Sequence, residues 1–238
     1  MKKIYFSILV IFLALALTGK SQDVYTTTGG EMVFQFADVN GDVSGNTIES
    51  TGTRWTVFLH LGMYGHMDIN NNLGFYSGIT MRNMGFITNE RWDQDLVKVI
   101  RRTYNIGVPL AFKLGAFDKG YFLFAGGEYE WLFHYKEKTW VGGAGARKNT
   151  KVNFTEWFSN RTPSFLPSII AGVQFPGGIN LKFRYYLKNY MNKDYKNSSG
   201  DFPYQNFDVK LFSLSLSYNL RWNSIIHAAS FHENLANR

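Results

Sequence analysis

LFSLSLSYNLRW, residues 211–222, is the stretch on which the fold turns. Phe212, Leu214, Leu216, Tyr218, Leu220 and Trp222 are large and apolar, and Ser213, Ser215, Ser217, Asn219 and Arg221 between them are polar. A strand sends successive side chains to opposite faces, so this segment reads as a strand with one apolar and one polar face. The question it raises is which face meets water.

The rest of the chain carries the same signature. Aromatics make up 17% of the 238 residues and charged residues 18%, an unusual balance for a soluble protein. There is no Cys, which excludes disulfides, thiolate metal sites and a lipid-attachment cysteine. MKKIYFSILVIFLALALTGKSQ opens with Lys2 and Lys3, continues in an apolar run and ends in small residues. Residues 1–21 are therefore expected to be a signal peptide cut after Ser21, the apolar run being shorter than the ~20 residues of a spanning helix. Without Lys2, Lys3 and Lys20 the chain has 22 basic and 18 acidic residues, or +4. That mild excess is no argument for nucleic acid, and none is expected as a partner.

Alternation predicts eight strands, at about 31–39, 54–68, 73–88, 99–116, 121–137, 164–175, 179–190 and 208–222. Ile69–Asn72, Phe117–Gly120 and Pro176–Gly178 are short and carry turn chemistry. The connections near 40–53, 89–98, 138–163 and 191–207 read as long polar loops. Short turns at one end and long loops at the other point to an eight-stranded antiparallel up-and-down transmembrane β-barrel. Residues 22–30 are expected as a periplasmic segment, 31–222 as the barrel and 223–238 as a periplasmic tail. Met84 and Phe86 break the parity of Phe75, Ile79 and Met81, which predicts a bulge near Arg82-Asn83.

A lipocalin-like barrel would place the apolar face inside, a membrane barrel outside. The interior of eight strands is only just wide enough for side chains, and the Trp, Tyr, Phe and Leu of this face would overfill it. Tyr121 to Trp131 and Phe212 to Trp222 each span ten steps, which at ~3.3 Å per step and a tilt near ~40° climb about 25 Å, the height of an apolar band. Trp55, Tyr104, Tyr121, Trp131, Tyr185, Tyr218 and Trp222 are the expected aromatic girdle. The final strand also resembles the insertion signal of outer-membrane barrels, although NSIIHAASFHENLANR follows its terminal aromatic.

The inward parity carries Glu128 and Glu130 on the fifth strand, Arg184 on the seventh and Arg82 on the third, all near mid-barrel. Two carboxylates and two guanidiniums balance, and paired they would close the lumen. A gated ion path through the same residues is the alternative. His60, His66 and His134 raise a lipid-modifying Ser-His-acid enzyme, with His134 expected inward on the face of Glu130. No Ser stands at an evident partner position, and no catalytic residue, metal or cofactor is assigned. The loop 138–163 carries Trp140, Arg147, Lys148, Lys151, Trp157 and Arg161, a basic and aromatic set suited to outer-membrane lipid and lipopolysaccharide phosphates, or to a partner protein.

GFYSGITMRNMGFI (74–87) resembles the third strand of small Bacteroidetes outer-membrane β-barrel proteins of the PorT-like kind. TYNIGVPLAFKLG (103–115) is similar to their Tyr-x-x-x-Ile/Val-Pro-Leu-x-x-Lys strand through Tyr104, Val108, Pro109, Leu110 and Lys113. PSIIAGVQFPGGINLKFRYYLKNYMN (167–192) resembles their penultimate hairpin. The resemblance implies a barrel in a Gram-negative outer membrane, with a role in assembling a secretion system or its cargo among the family's; the expected reading is a non-enzymatic protein, structural or accessory to secretion or envelope assembly, with an envelope or secretion-system protein as partner. A narrow solute channel and a lipid-A-modifying enzyme are the alternatives. Independently of the family, Pro109 cannot donate to a ladder and marks a bulge or a locally opened edge, roughly opposite Glu128 or Glu130.

Overall fold

A computed structural model describes residues 23–141 and 151–222. The expected signal peptide, the tail 223–238, Arg147 and Lys148 lie outside the described residues. Eleven strands follow one another: β1 Asp23–Val43, β2 Asn46–Gly52, β3 Arg54–Thr56, β4 Leu61–Asp68, β5 Leu73–Trp92, β6 Asp95–Ala116, β7 Tyr121–Trp140, β8 Lys151–Trp157, β9 Phe165–Gln174, β10 Ile179–Tyr186 and β11 Phe207–Arg221. All pairings are antiparallel, in the order β11-β10-β9-β7-β6-β5-β2-β1, and β11 returns to β1. The closing ladder runs from Thr27 opposite Arg221 to Gly41 opposite Phe207, so this sheet has no open edge along the ring. β2, β3 and β4 together make one stave and β8 adds a flap on β7, which leaves eight staves.

The expected turns hold, and β9 and β10 pair in one register across Pro176–Gly178. Leu181 lies opposite Val173, Phe183 opposite Ala171 and Tyr185 opposite Ile169. Gly178, at φ 91 in the tight turn before β10, has its missing Cβ position only 2.2 Å from the Asn219 carbonyl, which leaves room for no other residue. Pro109 faces Glu128, and the β5–β6 ladder skips from Ser77/Leu110 to Thr80/Gly107 beside it. Ser77 Oγ donates to the Pro109 carbonyl at 2.8 Å and patches the gap.

Four expectations are corrected. Asp23–Gly30 is no separate segment: it is the lower part of β1, paired with Leu61–Asp68. The loops near 40–53 and 89–98 are largely strand, because β1 and β2 turn over Ser44-Gly45, and β5 and β6 over Asp93-Gln94. No bulge falls at Arg82-Asn83; β5 keeps one register with β6 from Thr80 to Trp92. The bulge lies on β7 at Phe133, between the pairs Tyr104/His134 and Asn105/Leu132. It reverses parity, so Tyr135 turns inward and His134 outward, against Tyr104 at 5.4 Å between ring centroids.

The misplaced bulge has a physical origin. In the lower half, nearest the three short turns, the outward face is apolar: Leu110 is 56%, Phe112 54% and Leu114 61% exposed. In the upper half the chemistry inverts while the parity continues. Met84, Phe86, Val97, Val99, Phe207, Val209 and Leu211 are buried inside, joined by Tyr135, Tyr186, Tyr190 and Tyr204. Lys98, Arg102, Lys136 and Lys138 face out there. Below, an apolar surround lets polar groups fill the lumen; above, water outside requires an apolar filling.

Candidate functional site: the closed lumen and the basic outer face

The lumen network forms where the sequence places it, and it is larger than expected. Arg82 on β5 donates through Nη1 to Glu31 Oε2 at 2.7 Å and through Nε to Glu128 Oε1 at 3.1 Å. Arg184 on β10 donates to Glu128 Oε2 at 2.6 Å and to Glu130 Oε1 at 2.5 Å. Lys182 Nζ donates to Glu31 Oε1 at 2.6 Å. Three carboxylates thus face three cations from four staves, all buried. The remaining lone pairs are filled by Tyr64 on Glu31 at 3.0 Å, Tyr186 on Glu130 at 2.9 Å, Asn105 on Glu130 at 2.7 Å and Thr80 on Glu128.

Glu31 and Lys182 were missed. Lys182 stands two residues before Arg184, on the same parity, and that signal was available. Glu31 was masked by placing the strand start at residue 31, which put it at a rim; the strand in fact begins at Asp23.

The lumen is packed on both sides of this plug. Below it Tyr64, Tyr76, Phe122, Phe124 and Ile170 form an apolar layer, and Lys113 pairs with Asp68. Underneath lies an open vestibule of about 370 Å³ lined by Tyr25, Thr27, His66, Phe117, Phe122 and Arg221. The cavity between vestibule and plug is about 10 Å³, too small to carry a hydrated ion.

Above the plug, the wall itself is patched. β2 leaves β5 after Gly52/Ile87 and β4 rejoins it at Leu61/Met81. Gln35 fills the break like a strand: it accepts from the Gly85 amide at 2.8 Å and donates to the Asn83 carbonyl at 2.9 Å. Arg54 donates to Gln35 Oε1 at 2.7 Å and to Asn83 Oδ1 at 2.7 Å. No sequence motif announced this repair.

The girdle residues divide between the two ends of the apolar band. Tyr121, Tyr218 and Trp222 are exposed near the turn end, and Trp131 and Trp55 are exposed higher on the outer wall. Tyr185, beside Phe212 and Ile169, and Tyr104, stacked on His134, are half-buried against neighbouring strands. Of the three histidines, His60 and His66 face the lumen and His134 alone departs from its expected inward position. His134 lies outside the barrel, away from Glu130, with Nε2 3.0 Å from Thr155 Oγ1. His66 Nε2 is 2.9 Å from Thr27 Oγ1, and the His60 ring is buried without a hydrogen-bond partner among the described residues.

The predicted loop set separates. Trp140 and Lys151 lie opposite each other on the β7–β8 flap, and Trp157 sits against His134 at 4.4 Å. Arg161 does not join them. It packs over Phe154 at 4.5 Å and Tyr195 at 4.8 Å, donates to Tyr204 at 3.0 Å and pairs with Glu156 at 3.5 Å. Burial raises the Tyr204 hydroxyl above its ordinary value, which keeps it neutral beside Arg161. Arg161 is thus a packing residue of the loop end, since its guanidinium is covered by rings.

No family model and no curated protein matches the sequence. Solved structures that resemble the chain are outer-membrane barrels. Ail, the attachment invasion locus protein of Yersinia pestis, is 13% identical over 84% of this chain and 99% of its own, with a TM-score of 0.31. Neisserial surface protein A is 12% identical over 84% of this chain and 99% of its own, with a TM-score of 0.35. The N-terminal barrel domain of Pseudomonas aeruginosa OprF is 8% identical over 83% of this chain and 100% of its own, with a TM-score of 0.28. The barrel assignment therefore rests on the chain's own closed ladder and apolar outer band.

Proposed function

We propose that this chain is a non-enzymatic outer-membrane barrel that is closed to solutes and acts through its outer end. The observation that carries this is the saturated plug of Glu31, Glu128, Glu130, Arg82, Arg184 and Lys182, packed between two apolar layers. Buried charge of this kind is stable when every member is paired, and pairing removes the free groups an ion would need to hop between. In an outer membrane the three short turns face the periplasm and the upper half stands outside. The resemblance carried by Tyr104, Pro109 and Lys113 adds the finer reading: an accessory of protein secretion or envelope assembly.

Two measurements test this. The purified barrel in a planar bilayer is expected to show no stepwise conductance; ion-sized steps from the wild-type protein would favour the narrow channel instead. A deletion strain is expected to lose a defined set of exported cargo from its surface proteome. An unchanged set would remove the secretion role and leave a structural barrel.

A further inference from the structure

Among the described residues, the five cations on the outer wall of β6, β7 and β8 are paired with no acid. Arg102 lies directly opposite Lys136. Lys138 follows two residues on, on the same face, Lys98 lies opposite Trp140, and Lys151 lies opposite Trp140 from the other side. The outward positions 96–104 of β6, 134–140 of β7 and 151–157 of β8 hold no Asp or Glu. Their sequence neighbours Arg101 and Glu137 turn inward and pair with each other at 3.3 Å. Other cations have acids, Arg91 with Glu49, Lys193 with Asp208 and Arg161 with Glu156, while Lys119, Lys188, Lys196 and Lys210 stand without one but are scattered rather than facing each other across a ladder. Among the described residues none of these five makes an ion pair. Like charges opposite each other across a ladder, with Cβ atoms about 5 Å apart, destabilise a sheet. A strand pair that keeps them is built for an anion.

Their height says which anion. Leu114, Phe112, Leu110, Val108, Ile106 and Tyr104 form an outward run of ten steps on β6, about 25 Å of apolar band. Arg102 is the next outward residue above it, with its guanidinium 5.8 Å from the Tyr104 ring. Just below lie Trp131 stacked on Phe158 at 5.8 Å and Phe133 stacked on Trp157 at 5.9 Å. Rings at the edge of an apolar band mark the membrane interface, and cations one step above them sit at headgroup level.

We propose that the outer wall of β6, β7 and β8 binds the phosphates of an outer-leaflet glycolipid, with Arg102, Lys136 and Lys138 as the central clamp and Lys98 and Lys151 at its flanks. The site rests on the outer-membrane placement proposed above, which fractionation tests separately from lipid binding by the purified protein. A lipid fits better than a soluble polyanion because the cations are continuous with rings that already face acyl chains.

The test uses the full chain, folded in nonionic detergent and titrated with bisphosphorylated lipid A, with retained lipid counted by native mass spectrometry. Each cation near an anionic surface is worth about fivefold in affinity, so Arg102→Ala, Lys136→Ala and Lys138→Ala combined are expected to weaken binding roughly a hundredfold. Lys188→Ala with Lys196→Ala, on the 187–206 connection, is the control and should change binding less than about threefold. The triple variant should fold and unfold at no lower temperature than wild type in lipid-free detergent, because it removes a repulsion. Affinity retained by the triple variant, an equal loss in the control, or equal binding of phosphate-free lipid would each overturn the site. Tighter binding of a soluble sulfated polysaccharide, with the same dependence on these residues, would overturn the lipid and assign a soluble polyanion.

Discussion

At the scale of single residues, the lumen shows why a buried charge is safe only in company. Arg82 is 2% exposed and touches Glu31 and Glu128, so truncating it leaves two carboxylates buried with fewer donors. Arg82→Ala is therefore expected to cost about 3–5 kcal/mol, and to lower the temperature at which the folded band is lost on heating in detergent. Arg91→Ala removes a cation whose side chain is 50% exposed and whose pair with Glu49 is at the surface. That variant should change stability by no more than about 1 kcal/mol. Equal shifts for the two would mean the plug carries no more weight than a surface pair. Gln35 belongs to the same argument. Its side chain supplies ladder bonds to Gly85 and Asn83, so Gln35→Leu, similar in size but mute, is expected to cost about 1–3 kcal/mol.

At the scale of elements, the strands are continuous but their surroundings are not, and this decided what was legible. The lower halves of β6, β7, β10 and β11 alternate between small or polar inside and large apolar outside, and their boundaries and registers could be read directly. The upper half of β5 could not. Met84 and Phe86 read as a register slip when apolar residues are placed outward along the whole strand, whereas the strand leaves the membrane and buries them inward. Lys182 was readable and overlooked; the Phe133 bulge and the Gln35–Arg54 repair depend on three-dimensional neighbours that no local pattern encodes. If the upper half is a separately packed unit, Phe86→Ala should open it by about 3–5 kcal/mol. Hydrogen exchange should then quicken in 84–92 and 95–103 while 73–81 and 106–114 keep their protection. Uniform quickening along both strands would show that the barrel opens as one piece.

At the scale of the whole molecule, the two halves close the lumen by opposite means, and that makes the closure redundant. The lower seal is electrostatic, the set of six charged side chains around Glu128. The upper seal is the apolar core of Met84, Phe86, Tyr186, Tyr190, Phe207 and Leu211, several of which are fully buried. A gated channel would need one element whose movement frees the path. Here, clearing the charges still leaves a dry core above them and the ring layer of Tyr64, Tyr76, Phe122 and Phe124 below, and a dry constriction is itself a barrier to ions. A double variant that shrinks the plug without leaving unbalanced charge, Arg184→Ser with Glu130→Ser, is therefore expected to fold with reduced stability and to remain non-conducting in a planar bilayer. Adding Phe86→Ser and Tyr190→Ser above the charges and Phe124→Ser in the apolar layer below them removes part of each remaining seal, and only then should stepwise conductance begin. Conductance from the double variant alone would show that the charges are the sole gate, and would return the barrel to the class of narrow channels.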